Sequence, residues 1–169
     1  GQSTPYFPFV NQIKEYFEIK EGDPPFVITK KINSKVESLD KALMWAIPYL
    51  LDMLSVPAEE LASQKVRPEE KRKFAFEAIK ALLVRETQTR PLIIIVDNVQ
   101  WVDKASQELL NYLVESIANA RVLLLGVYRP GYLHPWSDKS YYSRITLNPL
   151  SEEESATLAK DLLDVEKLP

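Results

Sequence analysis

The stretch LIIIVDNVQWVD, Leu92 to Asp103, runs five apolar residues, four of them β-branched, straight into an acid and an amide, Asp97 and Asn98. A buried strand delivers polar groups to a site in this way. A carboxylate at a strand end can hold Mg²⁺ for a nucleoside triphosphate, usually through water, and a neighbouring acid can orient the attacking water. Here the neighbour is Asn98, which can hydrogen-bond a water or a phosphate oxygen but cannot take a proton. A second apolar run, VLLLGVYRP, puts Arg129 at the equivalent height one strand over. A guanidinium there could read a γ-phosphate.

Elements of three kinds have to position these groups. In the opening GQSTPYFPFVNQIKEYFEI, Phe9, Ile13, Tyr16 and Phe17 stand at helical spacing, and Pro8 suits a first turn. From Asp23 to Leu54 the apolar positions predict two helices with Asp40 as a cap between them, the second kinked or divided at Pro48. RPEEKRKFAFEAIKALLVRETQT predicts the longest helix, with Phe74, Ala78, Ala81, Leu82 and Arg85 on neighbouring turns. The period then changes to continuous apolar runs, Leu92 to Val96 and Val122 to Val127, expected as strands buried on both faces. Between them DKASQELLNYLVESIANA reads as an amphipathic helix capped by Asp103, with Leu109, Leu110, Leu113, Val114 and Ile117 inward. A weaker strand, SRITLNPL, follows a loop rich in Pro, Tyr and Trp. SEEESATLAKDLLDV then opens a last helix, with Ser151 and Glu154 spaced as a capping box. The expected fold is α/β: one domain over 1–169, with a mainly helical block over 1–90, a β-α-β-loop-β core over 91–150 and a C-terminal helix over 151–169.

Size and charge narrow the chemistry. A chain of 169 residues that is 46% hydrophobic can bury a core without disulfides or structural metals. No cysteine and a single His make zinc a poor match and leave magnesium as the metal to consider. The 21 basic and 24 acidic residues are mixed along the chain, which gives no footprint for nucleic acid. The longest apolar run is too short to span a membrane and the N-terminus does not read as a signal peptide, so a cytoplasmic location is expected.

LIIIVDNVQWVD resembles the Walker B segment of signalling P-loop ATPases of the AAA/STAND type, in which a hydrophobic strand precedes two acidic or amide positions, an apolar residue, His or Gln, Trp and a further Asp. VLLLGVYRPGY resembles their following strand with its sensor arginine. GQSTPYFPF, RETQTRP and YYSRITLNPLSEEE fall in the expected order around them. The nearest subgroup is the ATPase module attached to bacterial class III adenylate or guanylate cyclases, related to the modules of large LuxR-type regulators. The resemblance implies a partial P-loop NTPase sheet of the ASCE type, with ATP and Mg²⁺ as ligands. It gives Asp97 the magnesium, Asn98 the water-positioning place and Arg129 the γ-phosphate. The phosphate loop G-x-x-x-x-G-K-[ST] is not in this chain, whose glycines stand at 1, 22, 126 and 131 with no Lys following. The resemblance therefore implies a segment that begins after the first strand and its helix and is inactive alone. In the family that missing strand lies between the strand ending in Arg129 and the one containing Ile145. A rearranged last strand, or a dimer contact at the open apolar edge, is expected in its place.

Plainer readings stand beside these. An acid after a strand is often only a turn or a cap, and Arg129 before Pro130 and Gly131 reads as a turn arginine. Asp103 is a cap before it is a ligand. Gln100 and Trp101 are expected to pack and cap locally rather than contact nucleotide, Trp101 as a wedge between strand and helix. His134 is expected as a loop residue without chemistry, and TPYFPF as core packing rather than an interaction surface. On function, the leading expectation is an ATP-driven switch serving an attached output domain. Its competitor is an interaction scaffold with a decayed nucleotide site, and a phosphoacceptor receiver domain ranks third.

Overall fold

A computed structural model of the chain describes residues 5–58, 61 and 66–163. The first four residues of GQSTPYFPF and the expected continuation of the last helix, from Asp164, lie outside that set. The chain divides into two compact units, residues up to Trp136 and residues from Ser137 onward.

The first unit begins with α1, Phe7–Tyr16, whose second residue is the expected Pro8. Ile13 and Phe17 are buried, and Phe9 and Tyr16 pack at the edge of the same core. α2 spans Pro25–Leu39 and starts on Pro25, where the absent N–H costs nothing. Asp40 then caps a 3₁₀ turn, Lys41–Ala46, by accepting the Ala42 N–H at 2.9 Å. Pro48 sits in the first turn of α3, Ile47–Met53, so the proline divides this stretch where its missing donor and fixed φ predict. α4, Pro68–Glu86, is the longest helix. Its buried face carries Ala75, Phe76, Ala78, Ile79 and Leu82. Phe74 is 40% exposed and stacks on Tyr49. The core lies among these helices: Ile32, Val36, Leu50 and Ala78 meet Leu109 and Leu113 of the following helix in one cluster.

The sheet comes next. β1, Leu92–Val96, and β2, Val122–Gly126, pair in parallel with Leu92 opposite Val122 and Val96 opposite Gly126. α5, Lys104–Ser116, joins them and buries Leu109, Leu110 and Leu113. A βαβ unit follows from this order, since parallel neighbours need a crossover. Polar ties hold the helices to it. Arg72 bonds Glu108 at 2.9 Å, and Arg121 donates to the Thr87 carbonyl at the end of α4.

Burial on both faces, expected for these strands, is not found. Exposure alternates along each strand, and Ile93 and Ile95 are 65% and 66% exposed, with Leu123, Leu125 and Val127 beside them. The inward side chains meet the helical layer, whereas the outward ones meet no layer among the described residues. A run that is apolar on both faces says what the strand tolerates, not what the neighbouring chain supplies.

The second unit holds α6, Glu152–Leu163. Its start is the expected box: Ser151 donates its N–H to Glu154 Oε2 at 2.8 Å and accepts the Glu154 N–H at 3.2 Å. The third strand is a correction. Residues 143–150 form no strand, and the sheet has two strands among the described residues. Alternating Ile145 and Leu147 fit a strand, but an extended segment becomes one only when a neighbour takes its N–H and C=O groups. No helix among the described residues is long and apolar enough to cross a membrane.

Candidate functional site

Two backbone bonds level the strand ends. The Val127 N–H donates to the Val96 carbonyl at 2.9 Å and the Val99 N–H to the Val127 carbonyl at 3.0 Å. Asp97 and Asn98 therefore leave β1 at the same end of the sheet from which Tyr128 and Arg129 leave β2. Gly126 ends β2 with Val99 and Trp136 packed beside it at ordinary contact distance. A Cβ there would lie 3.4 Å from Val99 Cγ2 and 3.8 Å from the Trp136 ring.

The turn after β1 is built by Asn98, whose φ of 54° and ψ of 47° are left-handed. Asn takes that conformation more readily than most residues. The chain then makes a 3₁₀ turn over Val99–Trp101 and reaches Asp103, the N-cap of α5. An open cleft of about 410 Å³ lies over this turn, lined by Phe7 and Pro8 of α1 with Asp97, Asn98, Trp101, Val102 and Asp103. The cleft is thus flanked by the starts of two helices, where backbone N–H groups and the helix dipole favour anions.

The two acids of the cleft are in different states of use. Asp103 accepts the Ser106 N–H at 3.0 Å, the Ser106 hydroxyl at 2.6 Å and the Tyr6 N–H at 3.4 Å. Burial pushes its carboxyl up, but the bonds from Ser106, Tyr6 and Ala105 together hold it below the usual carboxylate range. It is a cap, as its place before α5 suggests. Asp97 is exposed, and among the described residues nothing bonds its carboxylate. One uncommitted carboxylate is the donor set Mg²⁺ takes when phosphate oxygens and water fill its other positions. Among the described residues no three His, Cys, Asp or Glu side chains converge as a self-sufficient metal cage.

Asn98 and Arg129 are joined by Gln100, which the sequence marks only for local packing and capping. Gln100 Nε2 donates to Asn98 Oδ1 at 3.2 Å, and Gln100 Oε1 accepts the Arg129 N–H at 3.3 Å. Arg129 is exposed and is not among the residues lining the cleft. Its loop is held to α5 further on. The Tyr132 hydroxyl donates to Gln107 Oε1 at 2.7 Å and Trp136 Nε1 to Asn111 Oδ1 at 2.9 Å. His134 is part of this anchor, stacked on Trp136 with ring centres 5.0 Å apart and 3.2 Å from the Tyr128 hydroxyl.

Trp101 corrects an expectation. It is 73% exposed at the cleft rim, not wedged between strand and helix; the indole that fills the space beside β2 is Trp136, 5% exposed. TPYFPF divides: Tyr6 meets Phe76 edge-on at 6.0 Å, while Phe7 is 55% exposed in the cleft wall.

The family model described as the AAA ATPase domain matches residues 1–125. A protein of Rhizobium meliloti (strain 1021), described as uncharacterized, is 28% identical over 121 residues. Those residues are 72% of this chain but 11% of that protein, so the chain spans about a tenth of the relative's length. No solved structure matches the chain.

Proposed function

This chain belongs to the AAA ATPase domain family, and on that premise we propose that it is the metal- and γ-phosphate-facing segment of a signalling P-loop ATPase module. The module binds ATP and hydrolyses it slowly, as a conformational switch for an attached cyclase or regulatory domain in the cytoplasm. Asp97, in a Walker B position, holds Mg²⁺, Asn98 stands at the water-positioning place, and Arg129 senses the γ-phosphate. Bound there, the ion would neutralise charge on the phosphate oxygens. One observation carries the reading: level strand ends deliver the exposed Asp97 and Asn98 to a cleft beside two helix starts, with Arg129 leaving the sheet at the same end. The family fold shows a parallel α/β scaffold of the kind that binds ligands at its strand ends.

The segment by itself is inactive in this reading, because the glycine-rich loop that surrounds the phosphates is not in it. The open sheet edges and the apolar face of Ile93, Ile95, Leu123 and Leu125 are where a further strand, or a second chain in a dimer, would dock. A scaffold with a decayed nucleotide site is the second reading, and Asn98 in place of an acid favours it. Titration of the full-length protein with ATP, with and without magnesium, separates the two. Magnesium-dependent binding that Asp97→Ala abolishes supports the switch. Failure to bind at millimolar ATP removes it.

A further inference from the structure

We propose that Gln100 fixes the side-chain amide of Asn98 with its carbonyl engaged and its NH₂ donors left for the cleft, which favours holding a bound triphosphate over cleaving it and keeps hydrolysis slow. The inference rests on reading Asn98 and Asp97 as ligand-facing residues.

The orientation of both amides follows from one atom whose role is not in doubt. The Arg129 backbone N–H can only donate. Its partner at 3.3 Å on Gln100 is therefore the carbonyl oxygen, Oε1. That leaves the Gln100 NH₂ group facing Asn98, and an NH₂ group cannot accept, so the Asn98 atom at 3.2 Å is Oδ1. The other end of the Asn98 amide is Nδ2, with two N–H donors. Asn98 is exposed and lines the cleft beside Asp97, and its backbone is set in the left-handed region at φ 54°. The side chain thus starts from a fixed place and carries a fixed polarity.

That polarity selects between two tasks. A phosphate oxygen is an acceptor and suits Nδ2. A water about to attack phosphorus has to give up a proton, so the group that orients it must accept. An Asn whose carbonyl faced the cleft could still orient that water, though not deprotonate it. With its carbonyl engaged by Gln100, it is a poorer acceptor for that water. Gln100 is thus a positioning residue, acting through Asn98, and the same side chain links that choice to the backbone of Arg129 one strand over.

The test uses the full-length protein with Mg·ATP. In Gln100→Glu a carboxylate still accepts the Arg129 N–H but has no donor for Asn98 Oδ1, so Asn98 turns its Nδ2 to Glu and its Oδ1 to the cleft. The added charge raises KM, so the readout is kcat at saturation, expected to rise about tenfold. Gln100→Met removes both bonds without a charge and is expected to raise kcat about threefold with KM unchanged. In an Asn98→Gly background, which keeps the left-handed turn, both rises should vanish. A purely structural role for Gln100 predicts lowered kcat in both variants. Unchanged or lowered kcat while ATP still binds, or a rise that persists in Asn98→Gly, overturns the inference and leaves the ATPase reading standing. Absence of ATP binding to the wild-type protein overturns both.

Discussion

The Asp103 carboxylate accepts the backbone N–H of Tyr6, 97 residues earlier in the chain. The same side chain caps α5 through Ser106. One carboxylate therefore ties the start of α1 to the start of α5, and these are the two helix starts that flank the cleft. Asp103→Ala should lower the stability of the chain by about 1–2 kcal/mol, the usual value of an N-cap. It should also loosen the wall made by Phe7 and Pro8. Urea denaturation gives the first, and faster amide exchange at Phe7 and Val10 the second. A variant as stable as the parent would mean the Tyr6 contact and the cap contribute nothing.

The same residue gives a pH dependence with a definite sign. Burial raises the Asp103 carboxyl, and hydrogen bonds to its charged form lower it by more, so in the folded chain it titrates below its ordinary value of 3.8. A depressed carboxylate stabilises fully above that value, and its contribution disappears as pH falls through the lower, folded one. Asp40 is depressed as well, through the Ala42 N–H and the Arg85 side chain, so the parent's own acid limb is not Asp103 alone. The difference between parent and Asp103→Asn isolates it. The two urea midpoints should lie furthest apart above about pH 4 and converge as pH falls. A gap that stays constant down to pH 2 would assign the acid limb elsewhere.

The strands, their connecting helix and the three caps could be read from the sequence because each is a local pattern. β-branched runs, a 3.6-residue stripe, and an acid or hydroxyl before a helix act within a few residues. What escaped depends on neighbours far along the chain. Ile93 and Leu123 look like core from composition, yet a layer has to arrive from elsewhere to bury them. Ile145 and Leu147 alternate as a strand should, yet no ladder receives them among the described residues. Phe74 and Phe76 are two positions apart on α4, so about 200° of rotation decides which is buried, and Tyr6 and Tyr112 against Phe76 settle it. At the site, Asp97 and Arg129 were legible from the ends of their runs. Gln100 was legible only as a local packing or capping residue, since its second bond reaches a residue 29 positions later.

The open sheet face makes a stability contrast. Ile95→Thr keeps the β-branched shape and exchanges the ethyl branch of a largely exposed side chain for a hydroxyl. It should change stability by no more than about 0.5 kcal/mol. Leu109→Ala, at a fully buried position of α5, should cost about 2–5 kcal/mol. Chemical denaturation of the two variants checks this. A cost at Ile95 as large as that at Leu109 would show that the face is covered, by a second copy or by chain outside the described residues, and a concentration-dependent midpoint would single out the second copy.

Two indoles that look alike in the sequence sit in opposite surroundings. Trp101, at the cleft rim, is mostly exposed, whereas Trp136 is buried and donates to Asn111. Acrylamide should therefore quench Trp101 well and Trp136 poorly, so Trp101→Phe should reduce overall quenching while leaving stability within about 0.5 kcal/mol. Trp136→Phe should leave quenching high and cost about 1–3 kcal/mol, because it removes one of the two donors to Asn111 Oδ1, leaving Gln107, and opens space beside Gly126. That second variant also reaches the candidate site. Trp136 and Tyr132 fasten the segment that follows Arg129 onto α5, so loosening one anchor should weaken magnesium-dependent ATP binding in the full-length protein, even though Trp136 does not line the cleft. A Trp136→Phe protein that loses stability but keeps its ATP affinity would show that the position of Arg129 is set by the Gln100 bond alone.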